Sequence, residues 1–419
     1  MKHEGRGEIL KVKVSHIGAQ GDGVADFDGT PVYVPYSAVG DELEVHPESN
    51  SARIVNILTP GPDRAEPPCR HYGICGGCAL QHINASAYAE WKRGLVAEAL
   101  GHRGFTEISL GALVASPPGT RRRAGFHCLS KGKGGVHIGF HERGSNRIVD
   151  LQDCKVLSPQ ILAFLPVLRD FLRKLLSEGQ KASVQVSESE TGLDVWIDNR
   201  RKLDMRLRMT LADFATDADL ARLVWGEDKE IVAERRAPLV RFGGVPVLPP
   251  PGAFLQPTVL GEQALVALAV KALAGARRIA DLFSGCGTFS LPLAASASVH
   301  SVEGDGEMTA ALKRAADMAA LARVSVERRD LFRRPLLAAE LEAYDGVLFD
   351  PPRVGAKEQA EQLAKSKVPV VVAVSCNPAT FARDARALVN GGYVMEQVTP
   401  VDQFLWTTHV ELVAVFRKG

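Results

Sequence analysis

The sequence lacks a run of about twenty apolar residues, the length that a helix needs to cross a bilayer. Its amino-terminal stretch, MKHEGRGEILKVKV, also lacks the apolar centre of a signal peptide. Net charge is almost absent, because 50 Lys and Arg residues face 49 Asp and Glu residues and leave +1. A basic surface for nucleic acid can therefore come only from local clusters of charge. We expect a cytoplasmic protein that has no membrane partner.

Cysteine is scarce, with seven residues in a chain of 419. In a reducing compartment such cysteines serve as metal ligands, nucleophiles or core residues more often than as disulfides. Internal sequence repeats are absent as well. The length exceeds what one ordinary hydrophobic core holds, so we expect two or three domains.

Residues 1–62 are predicted to form a small β-barrel. Short extended runs alternate there with turn sequences such as GAQGDG and DFDG. Five-stranded barrels of this kind often bind oligonucleotides, although a purely structural barrel is the alternative. The extended runs are GEILKVKV, TPVYVPY, DELEVHPE and ARIVNIL. The stretch TPGPDRAEPP that follows is predicted to be a linker.

Residues 63–245 are predicted to be a mixed α+β domain. One helix should occupy residues 86–100, with Ser86 as its N-cap, and a second should lie near 158–176. The helix near 86–104 is the part of this domain that we expect to pack on the catalytic domain. Three extended runs are predicted to be strands of a meander, namely ASVQVSES, TGLDVWID and RLRMTLAD.

Residues 246–419 show a different pattern. The stretch PGAFLQPTVLGEQALVALAVKAL predicts a helix, and apolar runs then alternate with helical stretches. That alternation is typical of a doubly wound, mostly parallel sheet, whose chemistry lies at the carboxyl ends of its strands. The apolar runs are RRIADLF, SVHSVEG, ARVSVERRD, YDGVLFDPP, VPVVVAVS and ELVAVF.

The segment ADLFSGCGTFSLPLA predicts a strand, a glycine loop and a helix. Gly285 and Gly287 permit close approach of the backbone to a ligand, although the third glycine of the dinucleotide fingerprint is missing. The next strand ends in Glu303, which is placed to accept hydrogen bonds from ribose hydroxyls. The strand after it leads to Asp330, which is placed to contact an adenine. This set suits S-adenosylmethionine as well as NAD, and the alternative is that the acids only cap helices.

The segment YDGVLFDPPR favours a methyltransferase. Asp350 follows its apolar run, and Pro351 and Pro352 make the turn rigid enough to hold a planar base. Enzymes that methylate exocyclic amines use a similar turn with an aromatic residue in the fourth place. Arg353 stands there instead, which disfavours that reaction.

The segment VVAVSCNPAT places Cys376 where an apolar strand meets a polar turn. A thiolate at that edge could add to C6 of a uracil and make C5 a nucleophile for a sulfonium methyl group. A base must then remove the C5 proton. Glu411, which starts the apolar run ELVAVF, is the candidate, because partial burial would raise its pKa. The plain alternative for Cys376 is a small core residue.

Four further cysteines have the spacing of a metal site. The segment CRHYGICGGC contains Cys69, Cys75 and Cys78, and DLQDCKVL adds Cys154. Four thiolates suit either zinc or an iron–sulfur cluster, and a close trio with one distant ligand fits the cluster better. Four unrelated cysteines are the alternative.

Basic clusters flank these cysteines. They are the run RRR at 121–123, the run KGK at 131–133, and His141, Arg143 and Arg147. Charge runs are usually only solvated faces, but beside a barrel and a methyltransferase we expect phosphate contacts. RNA is accordingly the expected partner, and the sequence shows no sign of an obligate protein partner.

Taken together, SCNPATFARD, DPPR, FLQP, DLFSGCGTFSLPLA and HVE resemble the RNA uracil-C5 methyltransferase family over essentially the whole chain. The stretch from GEILKVKV to RIVNIL resembles the TRAM domain that its members often carry. The resemblance implies a class I S-adenosylmethionine-dependent methyltransferase domain behind an OB-like barrel and a central domain with a cluster.

The same resemblance implies roles for individual residues. Cys376 would be the nucleophile and Glu411 the base. The four spaced cysteines would hold a [4Fe–4S] cluster. The cofactor contacts, with the loop glycine included, would come from Gln256, Phe283, Gly285, Thr288, Glu303, Asp330 and Asp350.

We therefore predict an enzyme that methylates C5 of a uridine in 23S ribosomal RNA, since tRNA-specific relatives usually lack both the barrel and the four cysteines. The target base must leave its stack to reach the thiol. Methylation of a tRNA uridine is the first alternative. A non-catalytic RNA-binding iron–sulfur protein on a methyltransferase scaffold is the second, and the joint presence of Cys376 and Glu411 argues against it. A cytosine-C5 enzyme fits less well, because its nucleophile typically follows a proline and Ser375 precedes Cys376 here.

Overall fold

The computed structural model describes residues 9–49 and 51–419. This part of the chain contains nine α-helices, twenty-one strands and one short 3-10 turn at Gly132–Gly134. The helices are α1 (Ala85–Gly101), α2 (Pro159–Leu175), α3 (Met205–Asp217), α4 (Val259–Ala272), α5 (Ser290–Leu293), α6 (Gly306–Met318), α7 (Ala338–Leu341), α8 (Lys357–Lys365) and α9 (Pro378–Asn390). No helix among the described residues is long and apolar enough to span a membrane.

The strands follow in chain order. They are β1 (Leu10–Ile17), β2 (Gly23–Phe27), β3 (Thr30–Val34), β4 (Glu42–Pro47), β5 (Ala52–Thr59), β6 (Val114–Ala115), β7 (Arg123–Ser130), β8 (Val136–Gly139), β9 (Lys181–Ser189), β10 (Gly192–Asp198), β11 (Arg222–Trp225), β12 (Glu230–Glu234), β13 (Val240–Phe242), β14 (Val245–Val247), β15 (Arg278–Leu282), β16 (Ser298–Glu303), β17 (Val324–Arg328), β18 (Gly346–Phe349), β19 (Val370–Ser375), β20 (Tyr393–Asp402) and β21 (Glu411–Lys418).

The first five strands form one antiparallel sheet in the order β3-β2-β1-β4-β5. Alternate residues of β1 and β4 (Val12, Val14, Leu43 and Val45) are buried, because successive side chains of a strand point to opposite faces. Strands β3 and β5 approach each other, so that the sheet curls around this small core. The four predicted runs are therefore present as β1, β3, β4 and β5, although Gly7 and Glu8 of the first run lie outside the described residues. The fifth strand of the predicted barrel is β2, which no predicted run covered and which overlaps the predicted turns GAQGDG and DFDG.

The segment after the barrel is held against it and is not a free linker. Gly61 N–H donates to the buried Asp41 carboxylate at 2.8 Å, and Arg64 forms an ion pair with the same group. A Cβ on Gly61 would stand 2.0 Å from the Val39 carbonyl oxygen, so only glycine permits this approach. The linker predicted over 59–68 is thus held against the barrel at Gly61 and Arg64.

The second sheet has six strands in the order β12-β11-β10-β9-β7-β8. Helices α2 and α3 pack on it around one core, to which Leu168, Val184, Val195 and Leu211 contribute. The strands predicted at ASVQVSES and TGLDVWID are confirmed as β9 and β10, and the helix predicted near 158–176 is confirmed as α2.

The strand predicted at RLRMTLAD is wrong, since residues 206–213 lie inside α3. The Asp204 side chain caps this helix by accepting a hydrogen bond from Leu207 N–H at 2.7 Å. Leu207, Leu211 and Phe214 then form one buried stripe at helical spacing. A short alternation of polar and apolar residues concealed the longer helical period.

The third main sheet has eight strands in the order β17-β16-β15-β18-β19-β21-β20-β6. Strands β15 to β19 pair in parallel, whereas β21 runs antiparallel to both β19 and β20. Helices α8 and α9 pack on one face and α4 and α5 on the other. The predicted doubly wound fold is therefore confirmed. Strand order reverses at β15, and such sheets bind ligands at that switch point.

Helix α1 and strand β6 precede the six-stranded sheet in the chain but belong to the eight-stranded one. Helix α1 packs on α9 and β20, and β6 pairs with β20 between Val114 and Val401. The N-cap of α1 is Asn84, whose side chain accepts from Ala87 N–H at 2.9 Å. The predicted cap, Ser86, already lies within the helix.

Candidate active site

A cavity of about 430 Å³ opens at the carboxyl ends of β15 to β19 and is called the catalytic cavity below. Its size suits a ligand of small-molecule dimensions. All nine residues that the sequence singled out for catalysis or cofactor binding line it. They are Gln256, Phe283, Gly285, Thr288, Glu303, Asp330, Asp350, Cys376 and Glu411.

The glycine loop after β15 has the backbone that a bound ligand requires. Phe283 and Gly285 both adopt left-handed conformations, with φ of 61° and 56°. A Cβ on Gly285 would meet nothing within 4 Å, whereas one on Gly287 would stand 2.4 Å from Leu312. Gly285 therefore leaves open space beside the cavity, and Gly287 lets helix α6 pack closely.

Glu303 is fixed at the end of β16 by two backbone groups. Gly285 N–H donates to its Oε2 at 2.9 Å, and Asp305 N–H donates to its Oε1 at 2.9 Å. A carboxylate has about four lone-pair sites, so each oxygen can accept a further hydrogen bond. Ser284 Oγ belongs to a lining residue of the cavity and has no partner among the described residues. These free acceptors and donors fit a polar ligand.

Asp330 lies two residues beyond β17, and its Oδ1 accepts from Phe332 N–H at 3.0 Å. The Phe332 ring stands 5.3 Å from the Phe283 ring, tilted by 52°. The two rings form an apolar wall of the cavity, which suits the flat face of a base. Sequence reasoning missed Phe332, although an aromatic residue two positions after Asp330 was a usable signal.

Cys376 directly follows β19, and Glu411 is the first residue of the neighbouring strand β21. Strands β19 and β21 are antiparallel, and Ser375 pairs with Leu412. Cys376 and Glu411 are the residues next to this last pair of the ladder, and both line the catalytic cavity. Thirty-five residues of sequence separate the two side chains, and the ladder brings them to one side of the catalytic cavity.

Burial dominates the electrostatics of this group. Burial, and then the carboxylates of Glu411 and Asp350, raise the pKa of the Cys376 thiol to about 12. Burial and the nearby Asp350 raise the pKa of Glu411 well above its ordinary value, against the opposing charge of Arg353. Burial raises the pKa of Asp350 to about 7. Burial thus favours the neutral forms of Cys376 and Glu411, whereas a cation bound beside them would favour their ionised forms.

Arg353 joins the turn after β18 to the turn after β19. Its carbonyl oxygen accepts from Asn377 Nδ2 at 2.9 Å and from Thr380 Oγ1 at 3.1 Å. Its Nη2 donates to His409 Nδ1 at 3.3 Å. The residue that disfavours amine methylation thus holds together the segments that carry Asp350, Cys376 and Glu411.

Family models match both ends of the chain. Residues 250–418 match the model described as tRNA (Uracil-5-)-methyltransferase, and residues 4–46 match the TRAM domain. An uncharacterized RNA methyltransferase of Brucella melitensis is 46% identical over 98% of both chains. The 23S rRNA (uracil(1939)-C(5))-methyltransferase RlmD of Thiobacillus denitrificans is 34% identical over 97% of this chain and 99% of its own.

The chain belongs to the RNA uracil-C5 methyltransferase family. A solved structure agrees at the level of fold. The tRNA (uracil-54, C5)-methyltransferase of Pyrococcus abyssi, in complex with S-adenosyl-L-homocysteine, matches with a TM-score of 0.73 over 97% of this chain and 100% of that one, at 24% identity. The class I methyltransferase fold behind a TRAM barrel is therefore shown for this family member.

Two residues of this methyltransferase orient Gln256, namely Gln403, which the sequence did not indicate, and Arg122, which it indicated only as part of the basic run 121–123. Gln403 Nε2 donates to Gln256 Oε1 at 2.8 Å, which turns Gln256 Nε2 towards Asp350 Oδ2 at 3.5 Å. Arg122 Nε donates to the Gln256 carbonyl oxygen at 3.0 Å and pairs with buried Glu262 at 2.5 Å. Arg122 is buried, so the phosphate contact expected of the whole run 121–123 is wrong for this residue.

The four spaced cysteines line a second cavity of about 500 Å³, called the cysteine pocket below. Burial raises the pKa of the Cys75 and Cys154 thiols, and raises that of Cys78 to about 12. Four thiols around one cavity are chemically suited to a cluster. Within residues 9–49 and 51–419, however, no three His, Cys, Asp or Glu side chains are arranged to hold a metal ion. The predicted cluster has no further support from the fold.

Proposed function

We propose that the protein transfers a methyl group from S-adenosylmethionine to C5 of a uridine in 23S ribosomal RNA through a covalent adduct with Cys376. The observation that carries this proposal is that Cys376, directly after β19, and Glu411, at the start of the neighbouring strand β21, line the same catalytic cavity. A nucleophile and a base on one side of one cavity are what the C5 reaction requires.

We assign the methyl donor to the part of the cavity nearest β15. Glu303 would accept hydrogen bonds from the ribose hydroxyls, and Asp330 would face the adenine beside Phe283. Asp350 and Gln256 line the same cavity, and Gln256 Nε2 lies 3.5 Å from Asp350 Oδ2. The donor supplies an electrophilic methyl group on a sulfonium, and its positive charge favours the ionised forms of the neighbouring acids.

The protein's own residues carry the remaining steps. The Cys376 thiol first loses its proton to water. The thiolate sulfur then forms a bond to C6, and the C5–C6 π electrons move into an enolate. The C5 carbanion of that enolate takes the methyl group, while the electron pair of the broken S–CH3 bond stays on the donor's sulfur, which leaves as a neutral thioether. The Glu411 carboxylate then accepts the C5 proton, and the freed electron pair re-forms the double bond and expels the Cys376 thiolate. Arg353 favours the thiolate before addition, because its charge opposes the effect of burial.

The ribosomal substrate is supported by the relative named as a 23S rRNA enzyme, which is similar over nearly the whole chain. Methylation of tRNA is the second candidate, since the matching family model is named for tRNA. The test is transfer of label from S-adenosylmethionine to unmethylated transcripts of 23S rRNA and of tRNA. Label in rRNA alone supports the proposal. Label in tRNA alone would move the substrate to tRNA, and label in neither would reject the activity.

We also propose a [4Fe–4S] cluster in the cysteine pocket, on Cys69, Cys75, Cys78 and Cys154. Their common cavity supports it. Protein purified without oxygen should be brown and contain about four irons per chain. Cys78→Ser should lose the colour, whereas Cys128→Ser, at a buried cysteine outside the pocket, should keep it. Stoichiometric zinc without iron would refute the cluster.

A further inference from the structure

A third cavity adjoins the catalytic cavity at Cys376. It measures about 420 Å³ and is called the bridging groove here. The turn at Ala19–Gln20 of the barrel forms one side, and the last turn of α1 and the start of α9 form the others. The groove shares Arg353 and Cys376 with the catalytic cavity.

The groove also reaches the cysteine pocket, with which it shares Gln20, Thr408 and His409. Three cavities therefore adjoin in sequence, from the glycine loop past Cys376 to the cysteine pocket. The barrel, the catalytic sheet and helix α1 each contribute to the middle one. An extended polymer is the kind of ligand that such a succession of cavities can follow.

The lining of the bridging groove combines positive charge with an apolar floor. Arg103 and Arg353 are exposed and supply the charge, and Glu98 is the one carboxylate among the lining residues. Leu95 and Ala99 of α1 form part of the floor. Arginine beside small apolar groups suits a phosphate next to the face of a base.

The RNA backbone joins the target uridine to its neighbouring nucleotide, and this connection indicates which ligand the bridging groove binds. When C6 of the target uridine stands at the Cys376 sulfur, its sugar and phosphates must leave the catalytic cavity past this residue. The region near Glu303 is taken by the methyl donor, so the strand must leave on the side where the groove opens. The nucleotide bonded to the target is then brought to the groove by the chain itself.

We propose that the bridging groove binds the nucleotide adjacent to the target uridine, with its base on Leu95 and Ala99 and its phosphate between Arg103 and Arg353. The inference rests on the proposed uracil-C5 activity. The barrel turn at Ala19–Gln20 also lines the groove, so the barrel would contact the RNA directly beside the target uridine.

The test compares RNA binding by two charge-reversal variants, one in the bridging groove and one on the other face of the eight-stranded sheet. Arg103→Glu reverses charge in the groove, and the backbone there stays anchored because the Arg103 carbonyl oxygen accepts from Arg386 Nε at 2.8 Å. Lys271→Glu makes the same change on α4, which packs on the other face of the sheet. The probe is an unmethylated 23S rRNA transcript, and the Kd is measured over a range of salt concentrations.

Arg103→Glu should raise the Kd for this RNA about tenfold and reduce the slope of log K against log salt by about 0.7, the loss of one single-strand phosphate contact. Lys271→Glu should leave both unchanged, and neither should alter binding of S-adenosylmethionine. Ala19→Trp, which narrows the groove from the exposed barrel turn, should raise the Kd without changing the salt slope.

The outcomes separate the two proposals. If wild-type protein binds the transcript and methylates no RNA, the uracil-C5 function fails whatever the variants do. If wild-type protein methylates RNA but Arg103→Glu binds it no more weakly than Lys271→Glu does, the groove assignment is wrong and the function stands.

Discussion

At the scale of single residues, Asp350 in the catalytic cavity predicts how S-adenosylmethionine binding depends on pH. Asp350, with a pKa of about 7, becomes anionic as the pH rises from 6 to 8. A cationic ligand beside it must bind more tightly over that interval. We expect the Kd of S-adenosylmethionine to fall roughly tenfold from pH 6 to pH 8, one pKa unit in free energy. Calorimetry at several pH values measures this.

S-adenosylhomocysteine supplies the control for that prediction, because its sulfur is neutral. Its affinity should change much less with pH, and Asp350→Asn should remove most of the difference between the two ligands. The same pH dependence for both ligands, in wild type and variant alike, would show that the Asp350 charge does not face the sulfonium.

Gln403 is expected to act as a positioning residue through Gln256. Gln403→Glu replaces its amide donor with a second acceptor facing Gln256 Oε1, so the Gln256 amide should turn away from Asp350. The loss of one such hydrogen bond costs about 1 kcal/mol, or several-fold in kcat/KM for RNA. Gly261→Ala should have a similar effect, since its Cβ would stand 2.3 Å from Gln403 Cγ. An unchanged kcat/KM in both variants would exclude this role.

Single residues were predictable where a strand pattern located them. Cys376 and Glu411 each adjoin an apolar run, so the sequence placed them at strand ends. Gln403 and Arg122 could not be found in that way, because they act on Gln256 from segments 147 and 134 residues distant in sequence. Such contacts depend on how the sheets are assembled, which local periodicity does not report.

At the scale of elements, a buried ion pair fastens α1 to the loop before Glu411. Lys92 Nζ contacts Asp402 Oδ1 at 3.1 Å, and both side chains are fully buried. The same ammonium donates to the carbonyl oxygens of Phe404 and His409. Tyr88 donates its hydroxyl to Asp402 Oδ2 at 2.6 Å. The loop that leads to the base is thus held by one helix.

Removal of Lys92 tests that fastening. Lys92→Met should lower the free energy of unfolding by about 3–5 kcal/mol, because it leaves a buried carboxylate unpaired. Adding Asp402→Asn should recover part of the loss. The exposed pair Lys313–Asp317 is the contrast, and Lys313→Met should cost less than about 0.5 kcal/mol. Denaturant unfolding gives all three values, and equal losses for the two lysines would contradict the account.

Helices were predictable where the helical pattern extended over many residues, and strands were predictable where an apolar run was uninterrupted. Helices α2 and α4 and strands β16, β18, β19 and β21 lie where the sequence indicated. Helix α3 was mistaken for a strand because eight residues carry too little of the 3.6-residue period. The cap of α1 was placed two residues late, because Ser86 and Asn84 are both good capping residues and only the fold selects between them.

At the scale of the whole molecule, the three main sheets are joined by segments that cross between them. Helix α1 and strand β6 lie between the barrel and the six-stranded sheet in the chain, yet they complete the catalytic sheet. The domain boundaries predicted at residues 62 and 245 therefore remain predictions. Only the assembled molecule brings the barrel turn, α1 and Cys376 to one groove.

The central claim is the covalent step at Cys376, and one measurement tests it most directly. Glu411→Gln protein is incubated with S-adenosylmethionine and unmethylated 23S rRNA or tRNA transcripts, and the denatured products are digested and analysed by mass spectrometry. Because proton removal is blocked, we predict an accumulated adduct in which a methylated uridine is attached to the peptide containing Cys376. The double variant Cys376→Ala with Glu411→Gln should form none. Normal methylation by Cys376→Ala, or an adduct on any other residue, would contradict the account.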